Sequence, residues 1–170
     1  MSASIEASRL RACIWSLLRR VPEKWPLSAR RWARGLGRRA LGKHYVPAPF
    51  YEGRLLVQPF DEIGSCIEQR GCLEPTISEI ARDAARRSFD YLDIGANIGV
   101  HLCAFGLAAQ GASRGKWRAM AFEPEPSLFS ALVANCRLNE LSEVRCSNVA
   151  LSDMPRRSHR FPRHPRNGLQ

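Results

Sequence analysis

One stretch constrains this chain more than any other. "SFDYLDIGANIGVHLCAFGLAA" runs from Ser88 to Ala109 as a strand-like segment, a turn bearing Gly95 and Gly99, and an apolar helical run. The rhythm then repeats. "KWRAMAFE" (Lys116–Glu123) reads as a second strand, "SLFSALVANCRLNE" (Ser127–Glu140) as a second helix, and "EVRCSNVAL" (Glu143–Leu151) as a third strand. Strands alternating with helices of this length form parallel sheets with crossover helices. The expected fold class is therefore α/β, as the first half of a doubly wound, Rossmann-like domain.

Upstream, "HYVPAPF" (His44–Phe50) carries two prolines and reads as a linker, and "RLLVQPF" (Arg54–Phe60) as a short strand stopped by Pro59. "DEIGSCIEQR" (Asp61–Arg70) has the acidic start and basic end of a helix, with Gly71 as its stop. "TISEIARDAARR" (Thr76–Arg87) reads as a helix with a Thr76–Glu79 capping box and an apolar face of Ile77, Ile80, Ala81 and Ala84.

Charge divides the chain into three parts. Residues 1–48 hold eleven Lys/Arg against two acids, residues 49–150 ten against thirteen, and residues 151–170 five against one. The net charge of +10 thus belongs to the ends, and a slightly acidic globular segment lies between them. Basic flanks alone are a weak argument for nucleic acid, and none is expected as a partner. The six cysteines form no CxxC pair, so free thiols in a reducing compartment are expected, with no metal. No apolar run reaches the roughly 18 residues of a membrane span, and the N-terminus lacks a long apolar h-region. A cytoplasmic location is expected.

Within residues 1–48, Ser4–Val21 places Ile5, Leu10, Ile14, Leu17, Leu18 and Val21 near one helical face, and Ser28–Lys43 is a second basic segment weakened as a helix by Gly35 and Gly37. Residues 1–43 have two readings. They lie on an anionic membrane surface through arginines and tryptophans, or they are a solvated extension packing on the domain or on a protein partner. An Arg-rich targeting peptide is a further reading, against which Glu6 and Glu23 count.

Ligands of open α/β sheets bind outside the carboxyl ends of the strands. Asp93, Glu123 and Asn148 stand at those three ends, which suggests one shared ligand. Gly95 and Gly99 permit a tight turn and close approach, and the helix starting near Ile98 is expected to offer unpaired N–H groups. Asn97 reads also as a turn residue tolerating positive φ. Glu123 is placed like the acid that accepts hydrogen bonds from ribose hydroxyls, and also like a neighbour of a helix N-cap. Glu74 either faces the ligand or serves the helix start. The dinucleotide pattern G-x-G-x-x-G fails, because Asn97 stands where the middle glycine would, and an acid at the loop mouth repels pyrophosphate. An adenosine with a cationic amino acid end fits better, as in S-adenosylmethionine.

"YLDIGANIGVHLCAFG", "AFEPEPSLFSALVANCRLNEL", "NVALSD" and "GCLEP" resemble, in order and separation, the motifs of the FkbM family of S-adenosylmethionine-dependent methyltransferases. The resemblance spans roughly Leu55 to Asp153. It implies a class I methyltransferase fold, S-adenosyl-L-methionine as cofactor, and methyl transfer to oxygen or a similar nucleophile on a small molecule or glycan. It further implies that Asp93, Gly95, Ala96, Asn97 and Gly99 surround the methionine part. Glu123 would hold the ribose, Pro124 would shape the turn beside the adenine, and Asn148 and Ala150 would border the adenine edge.

After Asp153 the composition changes to "MPRRSHRFPRHPRNGLQ", which suits neither a strand nor a packed helix. Family members continue with strand four and a D-x-E-G-like segment that faces the acceptor. The expectation is a partial, N-terminal half domain over residues 49–153, a basic extension over 1–48 and a disordered tail over 154–170, as in a truncated or frameshifted gene copy. No methyl-transfer base can be assigned, so enzymatic turnover is an open expectation. The alternative is a non-catalytic cofactor-binding or interaction module that docks through its basic arm.

Overall fold

This computed structural model describes residues 44–59, 61–112 and 117–153, with isolated positions between 26 and 37. The amphipathic Ser4–Val21 segment, most of Ser28–Lys43 and the tail from residue 154 lie outside the described residues.

Three parallel strands carry the site: β3 (Tyr91–Ile94), β4 (Ala119–Phe122) and β5 (Val144–Ser147), in the order β3-β4-β5. Register pairs Tyr91 with Ala119 and Ala119 with Val144, so the three C-terminal ends lie side by side. The connections are helices α3 (Val100–Gly111) and α4 (Pro126–Leu138). This is a Rossmann-like βαβαβ unit.

α3 is apolar all round and buried from Leu102 to Ala109, because β3 and β4 cover one side of it and α2 (Pro75–Arg86) the other. Phe105 is fully buried, stacked on Tyr91 with ring centroids 4.7 Å apart and edge-on to Trp117 at 5.7 Å. The sheet's other face differs. Leu92, Ile94 and Met120 are 57%, 61% and 43% exposed, where doubly wound sheets are normally covered on both faces.

The stretch expected as a linker is instead β1 (Val46–Phe50), paired antiparallel with β2 (Gly53–Val57) across a turn at Tyr51–Glu52. Pro47 and Pro49 do not disrupt the pair. Ala48 faces Leu55 and Phe50 faces Gly53 in register, and strand alternation turns both proline nitrogens to the outer edge, where no N–H is needed.

α4 completes the inner edge of that hairpin with two side chains. Asn139 Oδ1 accepts from Arg54 N at 3.0 Å while its Nδ2 donates to Arg54 O at 2.6 Å. One turn earlier, Asn135 accepts from Leu56 N at 2.6 Å and donates to Leu56 O at 3.2 Å. Residues four apart on a helix match residues two apart on a strand, so the two amides substitute for a missing strand. Asn135 Nδ2 also donates to Ile98 O at 2.9 Å, joining the hairpin to the glycine loop.

α1 (Glu62–Arg70) has the expected ends: the Asp61 side chain accepts from Gly64 N, and Gly71 closes it at φ 70°. α2 departs from expectation. It starts at Pro75, with Glu74 as N-cap and no side-chain cap, so the Thr76–Glu79 capping box does not form. Proline at the first helical position sets the start one residue early, and Glu79 faces Arg82 and Arg86 instead. Its buried face is Ser78, Ala81, Arg82 and Ala85, while Ile77 and Ile80 are exposed. Arg82 buries its guanidinium because Glu52 pairs with it bidentately and the Tyr51 ring lies 4.2 Å away.

Candidate functional site

The loop between β3 and α3 alternates its backbone handedness. Gly95, Asn97 and Gly99 have φ of 79°, 53° and 84°. Asn97 takes the left-handed region that asparagine tolerates, and its Oδ1 accepts from Ile98 N at 2.8 Å. Gly99 has no alternative: besides its φ, a Cβ would lie 2.5 Å from Leu132 Cδ1.

Every N–H from Gly95 to Gly99 has a partner inside the protein. Gly95 N and Ala96 N donate to Phe122 O at 2.9 and 3.0 Å, and Gly99 N donates to Ala96 O at 2.8 Å. Asn97 N donates to Glu123 Oε2 at 2.8 Å, and Ile98 N is taken by Asn97. The expectation of unpaired N–H groups at this helix start is therefore overturned for the loop. The reason is that β4's terminal carbonyl and a carboxylate reach them first. A phosphate cradle needs those groups free.

Two carboxylates border the loop, and a third, that of Glu74, lies on His101 in the first turn of α3. Asp93, next to last in β3, is half-buried and accepts from Leu102 N–H, in the first turn of α3. Burial pushes its pKa up, opposed by the nearby His101 and by that N–H, and reinforced by Glu123. Glu123 is buried at the end of β4, where Oε2 holds Asn97 N and Oε1 holds Glu125 N at 2.9 Å. It thus serves the backbone first, and each oxygen retains a lone pair for a ligand hydroxyl. Glu74, the third, has an exposed side chain and a left-handed backbone at φ 44°.

The remaining predicted residues fall around this centre. Ala96 is buried in the loop and Pro124 is half-buried between Glu123 and Glu125. Asn148 Nδ2 donates to Glu123 O at 2.7 Å, which binds the end of β5 to the end of β4. Ala150 is exposed in the segment after it.

Sequence reasoning missed His101. Its Nε2 lies 2.9 Å from Glu74 Oε2 and its Nδ1 3.2 Å from Ser78 Oγ, while Ser78 donates to Leu73 O at 2.9 Å. Ser–His–Glu in contact resembles a nucleophilic triad, but Ser78 is wholly buried, so no substrate reaches it. A histidine inside the apolar run "VHLCAF" was the available signal. Asn135 and Asn139 were likewise visible as polar residues beside the apolar positions Leu132 and Cys136.

Cys66, Cys72, Cys103, Cys136 and Cys146 are free thiols, and a hydrogen bond with Cys103, aided by burial and opposed by one with Cys146, pushes Cys136 up to about 12. Among the described residues, no helix is long and apolar enough to cross a membrane.

No family model matches the chain, and no curated protein matches it. Among solved structures it is similar to a proposed transferase of Pyrococcus horikoshii, at 16% identity and a TM-score of 0.41 over 64% of this chain. It is also similar to the tRNA m1G37 methyltransferase of M. jannaschii, at 15% identity and a TM-score of 0.40 over 65% of this chain. It spans 37% and 31% of the lengths of those two chains.

Proposed function

We propose that the Asp93–Gly99 loop, with Glu123, binds S-adenosylmethionine, and that the chain is a methyltransferase of the FkbM type acting on a small molecule or glycan. One observation carries the cofactor reading. Five consecutive loop N–H groups are consumed internally while carboxylates crowd the loop. Such a site disfavours a pyrophosphate and favours a nucleoside with a cationic end. Asp93 and Glu74 would face the ammonium and sulfonium, and the free lone pairs of Glu123 would accept the ribose hydroxyls. The sequence motifs support the methyl-transfer half of the reading. Methyl transfer requires mainly that nucleophile and methyl group be held in line.

Calorimetric titration tests this with S-adenosylmethionine and NAD in parallel. Saturable binding of the first alone, abolished in Asp93→Ala and Glu123→Ala, is expected. NAD binding as tightly would refute it. Binding without turnover on any acceptor would favour the second reading, a non-catalytic cofactor-binding or interaction module, for which the exposed sheet face and the basic residues 1–43 speak.

A further inference from the structure

We infer that the outer ridge of α2 is the seat of the chain's own Ser4–Val21 segment, which packs on it as a basic amphipathic helix. The inference is independent of the cofactor reading. Ile77 and Ile80 are 46% and 65% exposed, and Ala84 stands one turn beyond Ile80. α2 then closes with Ser88 at φ 60°, where Ser88 N donates to Ala85 O and Phe89 N to Ala84 O, both at 3.0 Å. Such a closure folds the chain back on the last helical turn. Phe89, 58% exposed, therefore extends the ridge. Ile77, Ile80, Ala84 and Phe89 form a stripe separate from the Ser78, Ala81, Arg82 and Ala85 face that packs inward. Single exposed apolar residues are ordinary, but a contiguous row of them marks an interaction surface.

Pattern, reach and charge select the occupant. Leu10, Ile14, Leu17, Leu18 and Val21 recur at the spacing of one helical face. At 1.5 Å per residue that stripe is about 17 Å long, and α2 is about 18 Å, so the two match. The chain enters the domain at β1, which runs directly to Tyr51, and the Tyr51 ring lies 4.2 Å from Arg82 of α2. Five strand residues cover about 17 Å, whereas residues 22–43 span up to about 70 Å when extended. The tether reaches easily.

Charge favours this seat over the bare sheet face. Residues 1–48 carry eleven Lys/Arg against two acids, and residues 49–150 ten against thirteen. Arg11 and Arg20 border the segment's apolar stripe by helical spacing. On α2, Glu79 and Asp83 are 55% and 52% exposed in the row beside Ile80 and Ala84. The sheet face instead presents exposed Arg145 in the same row as Leu92 and Met120. A basic helix meets carboxylates on α2 and a like charge on the sheet.

Photocrosslinking of the full chain tests the placement. The photoreactive residue p-benzoylphenylalanine replaces Leu17, on the stripe, or Arg19, on the opposite side, in a mixture of isotopically light and heavy chains. Position 17 should give adducts within one chain, on peptides holding Ile77–Phe89, and position 19 far fewer. Adducts joining light to heavy chains would assign the ridge to a second copy and overturn the inference. Adducts on β3 and β4, none on the domain, or adducts to phosphatidylserine vesicles in place of α2 would overturn it too.

Melting of the full chain provides a second readout. Ile80 lies outside the domain core, so Ile80→Glu by itself should leave folding intact. With the segment docked, Ile80→Glu and Leu17→Glu should each lower the melting temperature by about 4–8 °C. The double variant should fall no further than either alone, because both remove one contact. Ile80→Glu melting like wild type, or two fully additive losses, overturns the inference.

Discussion

Asn135→Ala should be among the most damaging single substitutions in this chain. The wild-type side chain is fully buried and makes three hydrogen bonds, to Leu56 N, Leu56 O and Ile98 O. Truncation strands one donor and two acceptors, two of them on the outer edge of β2. Each buried group left unsatisfied costs about 1–3 kcal/mol. Water admitted to the space recovers part of that, so a net loss of about 3–5 kcal/mol is expected, against a total of about 5–15 kcal/mol for a domain. Urea unfolding followed by circular dichroism measures it: with a slope of about 1–3 kcal/mol per molar, the midpoint should fall by roughly 2 M. Asn135→Asp should be as damaging at neutral pH, because its carboxylate opposes two carbonyl oxygens that need a donor. Partial recovery is expected on acidification, when the carboxyl can donate. Hydrogen exchange should show the β1–β2 hairpin and the glycine loop loosening together, since this side chain ties both. A loss below about 1 kcal/mol, or exchange confined to α4, would show that Asn135 does not bridge them.

Three further outcomes follow from the geometry. Gly99→Ala must place a Cβ 2.5 Å from Leu132 Cδ1 at a φ of 84°; a loss of about 2–3 kcal/mol in thermal or urea unfolding is expected, relieved in part by Leu132→Ala. Burial raises the Asp93 pKa in the folded state, so folding binds its proton more tightly than the unfolded chain does. Its contribution is then most favourable at low pH and declines as pH rises through the unfolded toward the folded value. Asp93→Asn, which keeps an acceptor for Leu102 N–H, should melt higher than wild type near neutral pH and converge with it in acid, while losing S-adenosylmethionine binding. Finally, Leu92→Thr with Ile94→Thr, on the exposed sheet face, should reduce aggregation in light scattering with little change in melting temperature.

The α/β class and the position of the loop were legible because they rest on local rules. Alternating strand and helix periods, glycines at the turn, and acids at strand ends are all visible in a linear reading. Two errors had local causes. The prolines of Val46–Phe50 suggested a linker, since register alone decides whether a proline nitrogen faces a partner or the outside. The face of α2 was assigned from its isoleucines, whereas contact with α3 and the Glu52 and Tyr51 partners of Arg82 selected a different stripe.

What the residues determined by themselves was the frame: a βαβαβ unit with Asp93, Asn97, Gly99 and Glu123 gathered at one end of the sheet. The tertiary structure alone decided how those groups are used. It assigned the loop N–H groups to Phe122, Ala96, Asn97 and Glu123 rather than to a ligand. It also brought Glu74, Ser78 and His101, separated by up to 27 residues, into one network. Local propensity depends on neighbours in sequence, but a hydrogen bond depends on which acceptor the packed fold places within about 3 Å of each donor.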